Sequence, residues 1–133
     1  MKLKSVIELH DSSVEAISHG DGWVHIELWC VLHMSTGRPG LDDGLTAVQE
    51  VMLSFEDGRI DGSIGNLPSD ILDGEFRVGM ALYPNIIGLP CDISGEAVSL
   101  TLFLHPDYRR LLVSGKRLKV TLQGEPSDIA EWP

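Results

Sequence analysis

Residues 23–33, WVHIELWCVLH, determine the fold class that this chain predicts. Every even position in the stretch is apolar, whereas the odd positions include tryptophan, histidine and glutamate. Successive side chains of a strand point to opposite faces, so this alternation predicts a strand with one face toward a core. The expected core positions are Val24, Ile26, Leu28, Cys30 and Leu32.

Similar alternation recurs along the chain between residues that favour turns, and no window shows a convincing helical period. Eight or more short strands predict an all-β antiparallel β-sandwich or small closed barrel in a single domain, because both arrangements hide strand edges. We expect residues 61–74 to form a covering loop and residues from Glu125 onward to form a polar tail. The other expected strands are 3–9, 14–18, 45–55, 75–83, 97–104, 111–113 and 116–122.

The charge of the chain narrows the partners that it can bind. Its 133 residues hold 20 Asp and Glu against 10 Lys and Arg, a formal charge of -10. Such a field repels phosphate backbones and anionic lipids, so we expect neither a nucleic-acid nor a membrane partner. Residues 5–108 contain seventeen acidic residues and three basic ones, Arg38, Arg59 and Arg77. If the partner is another protein, a basic one suits this charge.

The N-terminal segment and the cysteines favour a cytoplasmic location. Glu8, His10 and Asp11 interrupt the first apolar run before a signal-peptide core or a membrane helix forms. Cys30 and Cys91 are not a closely spaced pair, so we expect two reduced thiols.

His10-Asp11-Ser12 contains the letters of a nucleophilic triad, but consecutive residues of a strand point to alternating sides. We instead expect Asp11 or Ser12 to bond nearby backbone N–H groups where the first strand ends. The segment 62–65, GSIG, has Asp61 in place of the first glycine of a nucleophile elbow. These motifs predict no catalytic residue and no cofactor.

A metal-dependent hydrolase using His25 and Glu27 is the alternative function. The two residues share one strand face and lie about 6.6 Å apart along it, which suits two ligands of one ion. His33 is about 26 Å farther along the strand, so a third ligand has to come from elsewhere. The other interpretation is a solvated polar pair. Trp23 and Trp29 on the same side indicate either a recognition surface or the cover of a second small core.

Residues 34–44, MSTGRPGLDDG, are long for a hairpin connection. Long loops on rigid β scaffolds commonly carry recognition, so this segment is predicted to form a contact surface with His10, His33 and Gln49 nearby. The alternative is a solvated crossover without a binding role.

Several short motifs resemble a group of small bacterial all-β proteins of unknown function. They are His10-Asp11-Ser12, the 31–35 segment VLHMS followed by Gly37, Pro39 and Gly40, then Gln49 and the 122–126 segment LQGEP. Some proteins with a similar opening resemble immunity proteins of bacterial toxin systems.

The failed motifs and the long loop predict a binding or protein-interaction module without catalytic activity, and the looser resemblance implies an immunity-like role for it. Its partner is another protein, a small molecule or a second copy of the chain. Met34 departs from the polar or basic residue expected there and argues against an anion-binding role for that segment. The contact residues implied are His10, Asp11, Ser12, His33, Ser35 and Gln49.

Overall fold

The computed structural model describes residues 4–39 and 41–132. Leu3 and Gly40, assigned above to the first strand and to the 34–44 loop, lie outside the described residues. Within those ranges no helix is long and apolar enough to span a lipid bilayer. The strands in chain order are β1 (Lys4–Gly20), β2 (Trp23–Ser35), β3 (Gly44–Glu56), β4 (Arg59–Gly62), β5 (Ser69–Val78), β6 (Ala81–Pro84), β7 (Ile86–Leu89), β8 (Asp92–Leu104) and β9 (Arg109–Trp132).

The strands form one antiparallel sheet that closes on itself. Its order is β6-β5-β8-β9-β3-β2-β1-β7, and β5 also pairs with β1. The ring therefore runs β1-β2-β3-β9-β8-β5, with β6 and β7 added beside it and β4 paired with β9. This architecture confirms the predicted all-β antiparallel single domain and is barrel-like.

The core fills the ring. The five apolar even positions of residues 23–33 are between 0% and 4% exposed, as their alternation predicts. Burying each large aliphatic side chain contributes about 1.5–3 kcal/mol. Both cysteines are free and buried. Burial raises the pKa of the Cys30 thiol to about 12 and, together with the charge of Asp92, that of Cys91 to about 11, so neither is a thiolate at neutral pH.

Several sequence expectations about strand ends and irregular segments are wrong in part. The first strand does not end at His10-Asp11-Ser12, because β1 runs from Lys4 to Gly20, and 111–113 and 116–122 are not separate strands, because both lie within β9. The stretch 61–74 is not one loop, because β4 extends to Gly62 and β5 begins at Ser69. Residues from Glu125 onward are not a tail, because β9 continues to Trp132 along β3. The alternation there is broken by bulges, where extra residues shift the strand register.

Two of these irregularities lie on either side of Cys30 and position the site. On β1, Leu9–Ser12 stand opposite the single residue Cys30 of β2. On the other side, Cys30 pairs with Gln49 of β3, which in turn stands opposite residues 124–126 of β9. We call these the β1 bulge and the β9 bulge.

Candidate functional site

The β1 bulge is held by the hydroxyl of Ser12. This hydroxyl donates to Glu8 O at 2.6 Å and accepts from Val31 N–H at 3.2 Å. It therefore replaces backbone hydrogen bonds between β1 and β2 that the extra residues interrupt. On the strand's other edge, Leu9 N–H donates to Asn85 O at 2.8 Å. Backbone bonds on both sides thus fix the segment that carries His10 and Asp11.

A group of acidic and histidine side chains projects from this bulge. His10 Nε2 lies 3.2 Å from Glu8 Oε1 and 3.6 Å from Asp11 Oδ2. The second oxygen of Glu8 contacts Nε2 of His33 from β2. The side chains are 7% exposed at His33, 15% at Glu8, 40% at His10 and 57% at Asp11, so the group runs from the interior to the surface.

Asp73 of β5 is a fixed carboxylate near this group. It accepts hydrogen bonds from Asn85 Nδ2 at 2.8 Å, from Gly74 N–H at 3.0 Å and from Tyr108 OH at 3.1 Å. The Asn85 bond first, and then the other donors and the charge of His10, lower the pKa of Asp73 below its ordinary value of 3.8. Asp73 is therefore ionised at neutral pH.

We call Glu8, His10, Asp11 and Asp73 the acidic cluster. One ligand atom from each of Glu8, His10 and Asp11 falls within 4.8 Å of the others, a spacing that fits either a cationic side chain or a divalent ion. Among residues 4–39 and 41–132, no lysine or arginine forms an ion pair with a carboxylate of the cluster.

The structure brings together three of the six predicted contact residues, namely His10, Asp11 and His33. Ser12 is not part of this group; its hydroxyl bonds the backbone at the bulge that carries His10 and Asp11. Ser35 lies at the base of the 34–44 loop, where its hydroxyl donates to Asp43 O at 2.9 Å and accepts from Gly37 N–H at 3.0 Å.

Gln49 is 1% exposed and bridges the β9 bulge. Its Nε2 donates to the carbonyls of Glu50 and Gln123 at 2.9 Å and of Gly124 at 3.2 Å. These bonds give the side chain of Gln49 a backbone-supporting role.

The loop between β2 and β3 is braced by its own residues. Arg38 N–H donates to Asp42 Oδ2 at 2.6 Å, and the Arg38 guanidinium pairs with the same carboxylate at 3.2 Å. These contacts hold the pKa of Asp42 below its ordinary range. Leu41 is 70% exposed at the loop surface. Within the described ranges, no hydrogen bond joins the loop to His10 or to the Gln49 side chain.

His25 and Glu27, the residues of the metal-dependent alternative, have a different setting. His25 Nδ1 lies 2.8 Å from Ser54 Oγ, and its ring lies parallel to that of Trp23 at 6.1 Å. In the part of the chain that the structure describes, the group of three possible metal ligands is Glu8, His10 and Asp11 and includes neither residue.

Sequence reasoning missed Glu8 and Asp73 as members of the site. Glu8 could have been found, because it lies two residues before His10 and shares its strand face. Asp73 could not, since it reaches the cluster only through the pairing of β5 with β1.

Comparison with known proteins does not assign the chain to a family. No protein-family model, no curated protein and no solved structure matches the chain.

Proposed function

We propose that the protein is a non-catalytic, cytoplasmic interaction module that binds a basic segment of a partner protein at the acidic cluster. The observation that carries the proposal is the set of three carboxylates around the half-exposed His10, without a lysine or arginine partner among the described residues. A lysine or arginine of another protein supplies the missing charge.

The charge of the whole molecule supports this choice. A formal charge of -10 attracts basic proteins over distances longer than any contact and speeds their association. The same charge opposes binding of nucleic acids and anionic membranes. An acidic module that captures a basic protein also agrees with the immunity-like resemblance of the sequence.

The cluster is preorganised, which favours affinity. Three hydrogen bonds hold Asp73, His33 contacts Glu8, and Ser12 fixes the bulge. Side chains that are already ordered lose little conformational freedom on binding. A basic side chain would therefore meet carboxylates at set positions.

The 34–44 loop is the second part of the proposal. Exposed Leu41 offers an apolar contact, and the bonds between Arg38 and Asp42 keep the loop in one shape. The cytoplasmic location is proposed because both cysteines are free, as is usual in reducing compartments.

The test measures binding of a fluorescent peptide with alternating lysine and arginine to the wild type and to the double variant Glu8→Gln/Asp11→Asn. We expect the variant to bind about tenfold more weakly, the effect of losing about 1.4 kcal/mol. A third protein with residues 36–43 replaced by a Gly-Ser turn measures the contribution of the loop.

The matched control is Asp21→Asn/Asp61→Asn, which removes the same charge from exposed positions outside the cluster. If binding depends only on net charge, both double variants weaken equally and the acidic cluster is not the site. Unchanged binding by the Glu8/Asp11 variant leads to the same conclusion.

A divalent-cation site at the cluster is the second candidate, favoured by the imidazole and two carboxylates within 4.8 Å of one another. Titration with Zn²⁺ separates it from the hydrolase alternative. Loss of binding in His10→Ala, with binding retained in His25→Ala, places the ion at the cluster. The reverse result places it at His25 and Glu27 and favours the metal-dependent hydrolase.

A further inference from the structure

Four polar side chains form a row across four neighbouring strands on the side of the ring opposite to the core. Arg59 of β4 pairs with Ser114 of β9, Ser114 pairs with Ser99 of β8, and Ser99 pairs with Arg77 of β5. The flanking residues Val113 and Val98 are buried, so the two serines point outward. The arginines thus stand on either side of a serine pair, with their Cα atoms about 14 Å apart.

The row has unused hydrogen-bonding capacity. Among the described residues, Arg59 and Arg77 form no ion pair, and neither they nor the hydroxyls of Ser99 and Ser114 make a side-chain hydrogen bond. Arg38, the remaining basic residue of the acidic segment 5–108, is paired with Asp42. The two unpaired arginines of that segment therefore meet at one place.

The row forms the floor of an open groove of about 650 Å³. Its volume is in the range of small-molecule sites. Glycine at positions 79 and 95 contributes to the lining, and a Cβ atom at Gly95 would meet nothing within 4 Å, so the groove stays open there. Gly115 also borders the groove, but a Cβ atom there would point inward and approach Glu56 O of β3 to 2.6 Å, so packing against β3 explains this glycine.

The other charged groups of the groove limit what it accepts. Lys116 lies 3.2 Å from Asp57 and 3.7 Å from Glu56, so it adds no free positive charge to the groove. Glu96 also lines the groove and adds one negative charge. Two arginines against one free carboxylate suit a compact anion better than a highly charged polymer, which the whole molecule also repels.

From this row we infer a binding site for a small molecule with a phosphate or carboxylate group, seated over Ser99 and Ser114 and clamped by Arg59 and Arg77. The planar guanidinium groups donate two parallel hydrogen bonds to such an oxyanion, and the hydroxyls donate from below. The site shares no residue with the acidic cluster, so it does not depend on the function proposed above.

Isothermal titration with phosphoserine and with malonate, at constant ionic strength, tests the inference and separates the two sources of the oxyanion. We expect saturable binding of one of them, weakened about tenfold in Arg59→Gln/Arg77→Gln. Ser99→Ala/Ser114→Ala should weaken the same ligand by a smaller factor. Both arginines are exposed, so these changes leave the fold intact, which thermal unfolding checks.

The matched control is Arg110→Gln/Lys119→Gln, which removes two exposed positive charges that do not line the groove. Its affinity should stay within about twofold of the wild type. The inference is overturned if neither compound binds saturably, or if the control loses as much affinity as the Arg59/Arg77 variant.

Discussion

In each of the two bulges beside Cys30, a polar side chain bonds backbone groups where the strand pairing is interrupted, but the side chain differs between them. In the β1 bulge, the one oxygen of Ser12 both donates and accepts, and the segment leaves His10 and Asp11 at the surface. In the β9 bulge, the buried Gln49 reaches from β3 to the carbonyls of Gln123 and Gly124. One bulge displays side chains, whereas the other is supported from the core.

This difference separates residues that the sequence alone treats alike. His10, Ser12 and Gln49 all look like polar residues available for binding. Gln49 Oε1 is buried and has no hydrogen-bond partner among the described residues, while Nε2 serves three carbonyls. Because backbone carbonyl oxygens surround Nε2, the backbone holds the side-chain amide of Gln49 in one orientation.

The largest expected effect comes from Gln49→Leu, which removes the donor to the β9 bulge without greatly changing side-chain volume. The freed carbonyls lose their partner in a buried setting, so we expect the free energy of unfolding to fall by about 1–3 kcal/mol. Urea unfolding followed by tryptophan fluorescence measures it. Gln123→Leu, at an exposed position, is the control and should change stability by less than about 0.5 kcal/mol. Equal stabilities of the two variants would contradict a supporting role for Gln49.

Ser12→Ala should produce a smaller loss, because it removes one bridging hydroxyl from the β1 bulge. We expect about 1–1.5 kcal/mol less stability, together with weaker binding of the basic peptide, since the bulge carries the acidic cluster. Ser13→Ala is the neighbouring control, because among the described residues the Ser13 hydroxyl bonds only the Glu15 carboxylate, at 3.0 Å. If Ser12→Ala loses stability and keeps full peptide affinity, the bulge does not organise the binding site.

The sequence predicts the fold well wherever a strand is regular. Alternation in β2 identifies both the buried row from Val24 to Leu32 and the outward face, on which Trp29 is 40% exposed. It fails in the first half of β5, which the alternation predicts only from Glu75 onward, because Gly74 interrupts the pattern. A Cβ at Gly74 would lie 2.9 Å from Leu9 Cδ1, so packing against β1 explains the glycine. Such a contact between distant segments leaves no local periodic signal.

The candidate site, too, is predictable from the sequence only where its residues lie on one strand. His10 and Asp11 are evident as polar residues at an expected strand end, and strand parity adds Glu8. The contribution of Asp73 depends on ring closure, which pairs Ser13 of β1 with Asp70 of β5. The β9 bulge was missed because Gly124 and Pro126 are typical of a chain that leaves the sheet. Sequence patterns therefore identify residues on single strands, and topology determines which of them meet.

The smallest expected effect is the pH dependence of stability that Asp73 contributes. Asp73 belongs to the acidic cluster at the β1 bulge, the bulge that displays its side chains. The bonds from Asn85, Tyr108 and Gly74 lower the pKa of Asp73, so the folded protein holds this carboxylate ionised more readily than the unfolded chain does. Its stabilising contribution is therefore complete above the ordinary value of 3.8 and is lost as the pH falls through the lowered pKa. We expect Asp73→Asn to be less stable than the wild type at neutral pH and the difference to shrink in more acidic buffer. Thermal unfolding across that range measures it, with exposed Asp70→Asn as the control. A stability difference that stays constant with pH would show that the Asp73 charge does not stabilise the fold.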